Sequence, residues 1–158
     1  MKFIKRKLQE HHPGWMYQIK QGATSIWERW NAMGEDGSIH DPEMNSFNHY
    51  AFGSVCEFIF ENIIGIRPDE EFPGFKNIII DPLIIPSLLP LSFQHKTTRG
   101  LIEVDINIIN RQVTMSIDIP HGSTGKLYLE KYHNIVINNV TQENNSLNSG
   151  SHIIKFSI

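Results

Sequence analysis

LIEVDINIINRQVTMSIDI, residues 101–119, decides how the second half of this chain folds. Ile102, Val104, Ile106 and Ile108 alternate with Glu103, Asp105 and Asn107, the period of a strand with one face buried and one in water. Asn110 and Arg111 then make a two-residue connection, after which Val113, Met115, Ile117 and Ile119 alternate with Gln112, Thr114, Ser116 and Asp118. A β-hairpin follows. Outward from it, strand-like runs recur at residues 77–80, 91–97, 125–129, 135–138 and 152–157. A small antiparallel β-sandwich is the economical way to bury their inner faces. The polar run TQENNSLNSGS, residues 141–151, reads as a surface loop before the last strand. The N-glycosylation-like triplets at Asn139 and Asn144 are of a kind common by chance.

The chain changes character near Arg67 and Pro68, being helical and aromatic-rich before that point. Residues 14–21 suit a short helix begun by Pro13 and closed by Gly22, which tolerates a left-handed C-terminal position. Residues 46–64 suit a longer one, with Phe47, Tyr50, Ala51, Val55, Phe58, Ile59 and Ile63 at helical spacing, Ser46 as N-cap and Gly65 as stop. Between them lies NAMGEDGSIHDPEMN, where Asp36-Gly37 and Asp41-Pro42 are the turn signals. The expected fold class is therefore α+β, with a short helical segment over residues 1–67 and a small antiparallel β-sandwich over 68–158. No internal repeat stands out.

With 40% apolar and 20% charged residues the chain has the composition of a folded protein. A net charge of -3 offers no broad basic surface, so nucleic acid is not an expected partner. No run approaches the roughly 20 apolar residues of a membrane span, and no membrane association is expected. Lys2, Lys5, Arg6 and Lys7 precede Leu8 and Gln9 instead of a hydrophobic stretch. No export signal is read there, and the chain is placed in the cytoplasm by default. Cys56, the single cysteine, excludes an intrachain disulfide and a cysteine metal cluster, and reads as a small buried apolar residue. His40 with Asp41, and His11 with His12, lack the spacing of a zinc motif, so no metal and no cofactor are expected. In RPDEE, residues 67–71, Arg67 is expected to hold the junction through an ion pair.

Chemistry concentrates in residues 22–50, where tryptophans and histidines sit beside carboxylates. That combination suits a sugar: an aromatic face covers the apolar side of a pyranose, and carboxylates accept hydrogen bonds from hydroxyls or act as acid and base. In TSIWERW, Glu28 is bracketed by Trp27 and Trp30 and followed by Arg29. On local chemistry alone, a surface Glu28–Arg29 pair over two core tryptophans is the simpler reading. A tuned catalytic carboxylate is the other.

Three ordered blocks change that balance: GWMYQIKQGATSIWERW, DGSIHDPEMNSFNHYAFGSV and GIRPDEEFPGFKNIIIDP. Together, over residues 13–82, they resemble the end of the catalytic barrel and the junction to the last β domain of bacterial α-L-rhamnosidases, glycoside hydrolase family 78. The resemblance implies that the helical segment is a remnant of an (α/α)6 barrel, and that the parent reaction is hydrolysis of terminal α-L-rhamnosides with inversion. Glu28 resembles the family's general base, and His49 the histidine that contacts the sugar. Trp27, Trp30 and Asn45 would support Glu28 from behind; Asn48 could do the same or cap a helix. The general acid belongs to an earlier block not found among these residues, so the fragment is expected to be inactive alone.

A rhamnosylated carbohydrate or glycoside is then the expected ligand, once the barrel is completed. Faces carrying Trp15, Tyr17, Phe47, Tyr50 and Phe58 are expected to be exposed, favouring a homo-oligomer or association with an upstream enzyme piece. The alternative reading is a non-catalytic carbohydrate-binding or structural β-sandwich module.

Overall fold

The computed structural model describes residues 10–141 and 145–158, in two compact units spanning Met1–Glu57 and Phe58–Ile158. The basic cluster at Lys2, Lys5, Arg6 and Lys7, and Asn144, lie outside the described residues. No helix among the described residues is long and apolar enough to cross a membrane.

The second unit is built on the hairpin. Strands β1 (Ile66–Pro68), β2 (Asn77–Ile80), β3 (Leu91–Thr97), β4 (Gly100–Ile109), β5 (Gln112–Ile119), β6 (Thr124–Leu127), β7 (His133–Ile137), β8 (Ser146–Leu147) and β9 (Gly150–Ser157) form two sheets. One runs β3-β4-β5-β9-β7 and is antiparallel throughout; the other runs β1-β2-β6-β8, with β2 and β6 parallel. In the hairpin Ile109 pairs with Gln112, and Asn110 and Arg111 both take positive φ, at 49° and 67°. Two successive left-handed residues make the turn whose twist matches the flanking strands. The alternation is obeyed: Ile102, Val104 and Ile106 are buried while Asp105 and Asn107 are exposed. Their inner faces meet Ile78, Ile80, Met115 and Phe156 in one core cluster. Full burial of such a side chain contributes about 1.5–3 kcal/mol.

Two strands depart from expectation. β8 and the start of β9 fall in the polar run 141–151, which is therefore not all loop, and β1 follows directly on Gly65. β1 contains Pro68, which cannot donate to a ladder, and it lies at a sheet edge where that donor is not needed. Arg67 does pair across β1, its guanidinium lying 3.8 Å from Asp81, which also takes Lys131 at 2.6 Å. These groups are 31–43% exposed, so the pairs orient side chains more than they stabilise the fold.

The chain leaves β2 through Pro82 and Ile84, and Tyr132 fixes that exit. Its hydroxyl donates to the Pro82 carbonyl at 2.9 Å and accepts the Ile84 N–H at 3.0 Å, while its ring stacks on Phe156.

In the first unit, helix α1 (Trp15–Lys20) closes as Gly22 suggests. Gly22 is left-handed at φ 86°, its N–H donates to Ile19, and the Ala23 N–H donates to the Gln18 carbonyl. Both bonds satisfy carbonyls that a helix end leaves bare. Tyr17, expected at an exposed face, is buried, its hydroxyl donating to the Gly34 carbonyl at 2.8 Å. Burial and the nearby carboxylates of Glu35 and Asp36 push its phenol pKa up. Of the same set, Trp15 and Phe47 are half-buried, whereas Tyr50 is 90% and Phe58 39% exposed. Asp36-Gly37 turns as expected, with the Asp36 carboxylate accepting from the Ser38 N–H and hydroxyl. Those bonds hold the Asp36 carboxyl below its ordinary pKa.

The helix expected over 46–64 is shorter and irregular. A 3₁₀ turn covers Tyr50–Gly53 and helix α2 covers Ser54–Phe58, after which Ile59–Ile64 is π-helical. Residues 46–49 are not helical, because their backbone groups are engaged elsewhere, as described below. Cys56 is exposed rather than buried, since none of the residues of α2 is buried.

Gly65 ends the π-helical turn at φ 77°, and a Cβ there would lie 2.2 Å from the Asp81 backbone. Its carbonyl accepts the Asp81 N–H at 2.8 Å. Both the left-handed conformation and the close approach demand glycine. Gly65→Ala is expected to lower the unfolding free energy of the second unit by at least about 2 kcal/mol, read by urea denaturation. An unchanged midpoint would contradict this assignment.

Candidate functional site

Residues 25–28 and 46–49 lie side by side in the first unit, tied by four hydrogen bonds. The Ser25 hydroxyl donates to the Phe47 carbonyl at 2.8 Å, and the His49 N–H to the Ile26 carbonyl at 2.9 Å. The Glu28 N–H donates to the Ser46 carbonyl at 2.8 Å, and the Ser46 N–H returns to Glu28 Oε2 at 3.0 Å. Trp27, 4% exposed, seals the pair of strips by packing edge-on against Phe47 at 5.0 Å. Glu28 and His49 are thereby placed on facing strips. Ser46, expected as an N-cap, instead accepts the Asn48 N–H on its hydroxyl at 3.2 Å.

The Glu28–Arg29 pair that local chemistry favoured does not form. Arg29 reaches Asp41 at 3.2 Å, and Glu28 is bonded to backbone. One oxygen of the Glu28 carboxylate accepts the Ser46 N–H, and the other has no hydrogen-bond partner among the described residues. A carboxylate anchored by one oxygen can accept a proton from water on the other.

The remaining candidates fall at different depths. Trp30 is half-buried and meets Trp15 edge-on at 5.8 Å, so it packs behind the strip. Asn45 gives its amide to the loop instead, donating to the Ala32 carbonyl at 3.1 Å and the His40 carbonyl at 2.9 Å and so closing the loop between Arg29 and Ser46. Asn48 is exposed. The His49 ring stacks on Tyr50 with planes 9° apart and tilts against Phe52 at 5.3 Å. Its Nδ1 is buried without a hydrogen-bond partner among the described residues, which leaves a polar atom for a ligand hydroxyl to satisfy. No group of three or more His, Cys, Asp or Glu suited to a metal ion is found among the described residues.

Two contributors escaped sequence reasoning. Ser46 acts through its backbone, which no side-chain pattern reveals. Gln18, only 2% exposed, accepts the Trp27 N–H on Oε1 at 3.3 Å and donates from Nε2 to the Arg29 carbonyl at 3.3 Å. Its place in an apolar-aromatic run, between Tyr17 and Ile19, was the available signal.

Residues 2–63 match the family model of the bacterial alpha-L-rhamnosidase 6 hairpin glycosidase domain, and residues 65–144 that of the bacterial alpha-L-rhamnosidase C-terminal domain. The chain belongs to the bacterial α-L-rhamnosidase family. It is 36% identical over 118 residues to an alpha-L-rhamnosidase of Formosa agariphila, covering 75% of this chain and 12% of that protein. An Alteromonas alpha-L-rhamnosidase is 32% identical over 127 residues, covering 80% of this chain and 14% of its own length. Among solved structures, the Streptomyces avermitilis alpha-L-rhamnosidase complexed with L-rhamnose superposes with a TM-score of 0.69 at 27% identity, over 94% of this chain and 15% of that one. The Aspergillus terreus enzyme gives 0.75 at 28%, over 97% and 17%. The chain thus spans a small fraction of the length of the relatives it matches.

Asn45→Ala would take the side-chain donor from the Ala32 and His40 carbonyls, of which Ala32 still accepts the His40 N–H. It is expected to cost about 0.5–1.5 kcal/mol and to speed amide exchange through that loop. Unchanged exchange there would show that the loop holds without it.

Proposed function

We propose that these residues supply the general-base side of an inverting α-L-rhamnosidase, with Glu28 as the base and His49 as a sugar contact. The observation that carries this reading is the Glu28 carboxylate, anchored through one oxygen to the Ser46 N–H on the strip facing His49, within the stretch matched to the glycosidase domain. Inversion requires a water between the base and the anomeric carbon, with a second carboxyl group about 6.5–9.5 Å away to protonate the leaving oxygen. That acid would come from the part of a rhamnosidase that precedes the matched stretch. Trp27 locks the two strips together by packing against Phe47, and Trp30 and Asn45 stiffen the loops that carry Glu28. The substrate class is a terminal α-L-rhamnoside, and no cofactor enters the reaction.

Purified alone, the chain is expected to give no measurable turnover of p-nitrophenyl α-L-rhamnoside. Turnover that Glu28→Gln abolishes would overturn the proposed dependence on an outside acid. Turnover that Glu28→Gln leaves intact would overturn Glu28 itself.

The exposed apolar side chains also bear on partners. Met44 is 61% and Tyr50 90% exposed. Such surface favours self-association or an upstream enzyme piece as partner. Light scattering is expected to show a molar mass that rises with concentration. A strict monomer that binds no hydrophobic dye would count against it.

A further inference from the structure

Gln18 is one of two buried polar or charged residues among the described residues, the other being Ser123 in the second unit. A buried carboxamide must find partners for both its oxygen and its nitrogen. Gln18 finds them on either side of one residue: Oε1 takes the N–H of Trp27 and Nε2 gives to the carbonyl of Arg29, each at 3.3 Å. The residue between is Glu28. Exchanging the amide oxygen and nitrogen would set donor against donor and acceptor against acceptor, so the network fixes the orientation.

The backbone of Gln18 is equally committed. Its N–H donates to the Gly14 carbonyl at 3.2 Å, and its carbonyl accepts from Gln21 at 3.1 Å and Ala23 at 3.0 Å. The first bond ties it to the start of α1 and the other two to its closing turn, so the carboxamide projects from a fixed base. Glu28 is therefore gripped twice: Gln18 holds the peptide groups flanking it, and Ser46 holds its N–H and its carboxylate. Side chains of other types fail one half of this task. An ionised carboxylate cannot donate to the Arg29 carbonyl, a thioether does neither well, and a serine or threonine hydroxyl is too short to span the two groups.

We propose that Gln18 is a positioning residue of this site, holding the peptide groups on both sides of Glu28 so that its carboxylate stays aimed at the Ser46 N–H. The functional weight of the inference rests on Glu28 being the base; its geometric content does not.

The test uses the whole chain and the amide proton of Ser46 as reporter. Because that N–H donates to Glu28 Oε2, its NMR shift should respond to protonation of the Glu28 carboxylate as the pH is lowered. Asp41, paired with Arg29, and His49 are the other ionisable groups near these strips. Glu28→Gln separates Glu28 from both by abolishing the Ser46 response. In Gln18→Met, which keeps the length and removes the polar atoms, the response is expected to shrink to less than half while the amide pattern of residues 58–158 stays unchanged. Gln18→Glu, which retains an acceptor for the Trp27 N–H, should preserve more of it.

An undiminished Ser46 response in Gln18→Met would overturn the proposal. So would loss of the folded amide pattern of residues 10–57 in both Gln18 variants, because Gln18 would then serve the fold and not Glu28. Failure of the underlying reading is seen separately. If a rhamnosidase completed with this chain keeps full turnover with Glu28→Gln, Glu28 is not the base, whatever the Ser46 signal shows.

Discussion

The reciprocal bond between Glu28 and Ser46 is the constraint on which the first unit depends. One residue gives its N–H to a carbonyl and takes the neighbouring N–H on its own carboxylate, so backbone and side chain are fixed together. Carboxylates that accept backbone N–H groups are among the stronger hydrogen-bonded partners in proteins. The consequence reaches further than the pair. Because residues 46–49 spend their backbone groups on residues 25–28, the helical stretch cannot begin until Tyr50, and His49 is left facing the strip that carries Glu28.

The second unit rests on different physics. There the alternation of β4 and β5 buries one face of a hairpin against the strands of the opposite sheet. A Cβ on Gly125 in β6 would lie 2.8 Å from the Ile80 and Ile119 side chains. Tyr132 adds the directional bonds that a purely apolar interface lacks, tying the exit of β2 to the five-stranded sheet through its stack on Phe156.

Much of the sandwich was legible in the sequence because its signal is local: a period of two, a two-residue turn and a β-branched composition. What escaped were elements whose existence is decided by neighbours. β8 is two residues of a polar run that pair with β6, and β1 is an edge strand ending in proline. The helix over 46–64 was read too long for the same reason. Helical spacing of Phe47 and Tyr50 says which faces can be apolar, and it cannot say that Ser46 and His49 have backbone partners some twenty residues earlier. Cys56 was expected inside by residue type, yet it sits on a turn that buries nothing. At the site, local chemistry favoured Arg29 as the partner of Glu28, whereas the partner of Arg29 proved to be Asp41. Resemblance, not local composition, singled out Glu28 and His49. Gln18 left only the weak signal of a polar residue between Tyr17 and Ile19.

Chemical rescue addresses the role of Glu28 most directly. An active rhamnosidase would be completed with this chain carrying Glu28→Ala and assayed with and without azide. Removing a general base is expected to slow hydrolysis by about 10²–10⁴-fold. Azide, needing no deprotonation, should then restore turnover and yield the inverted β-L-rhamnosyl azide. Hydrolysis that survives the substitution at the parent rate, or an azide product of retained α configuration, would contradict Glu28 as the base of an inverting reaction.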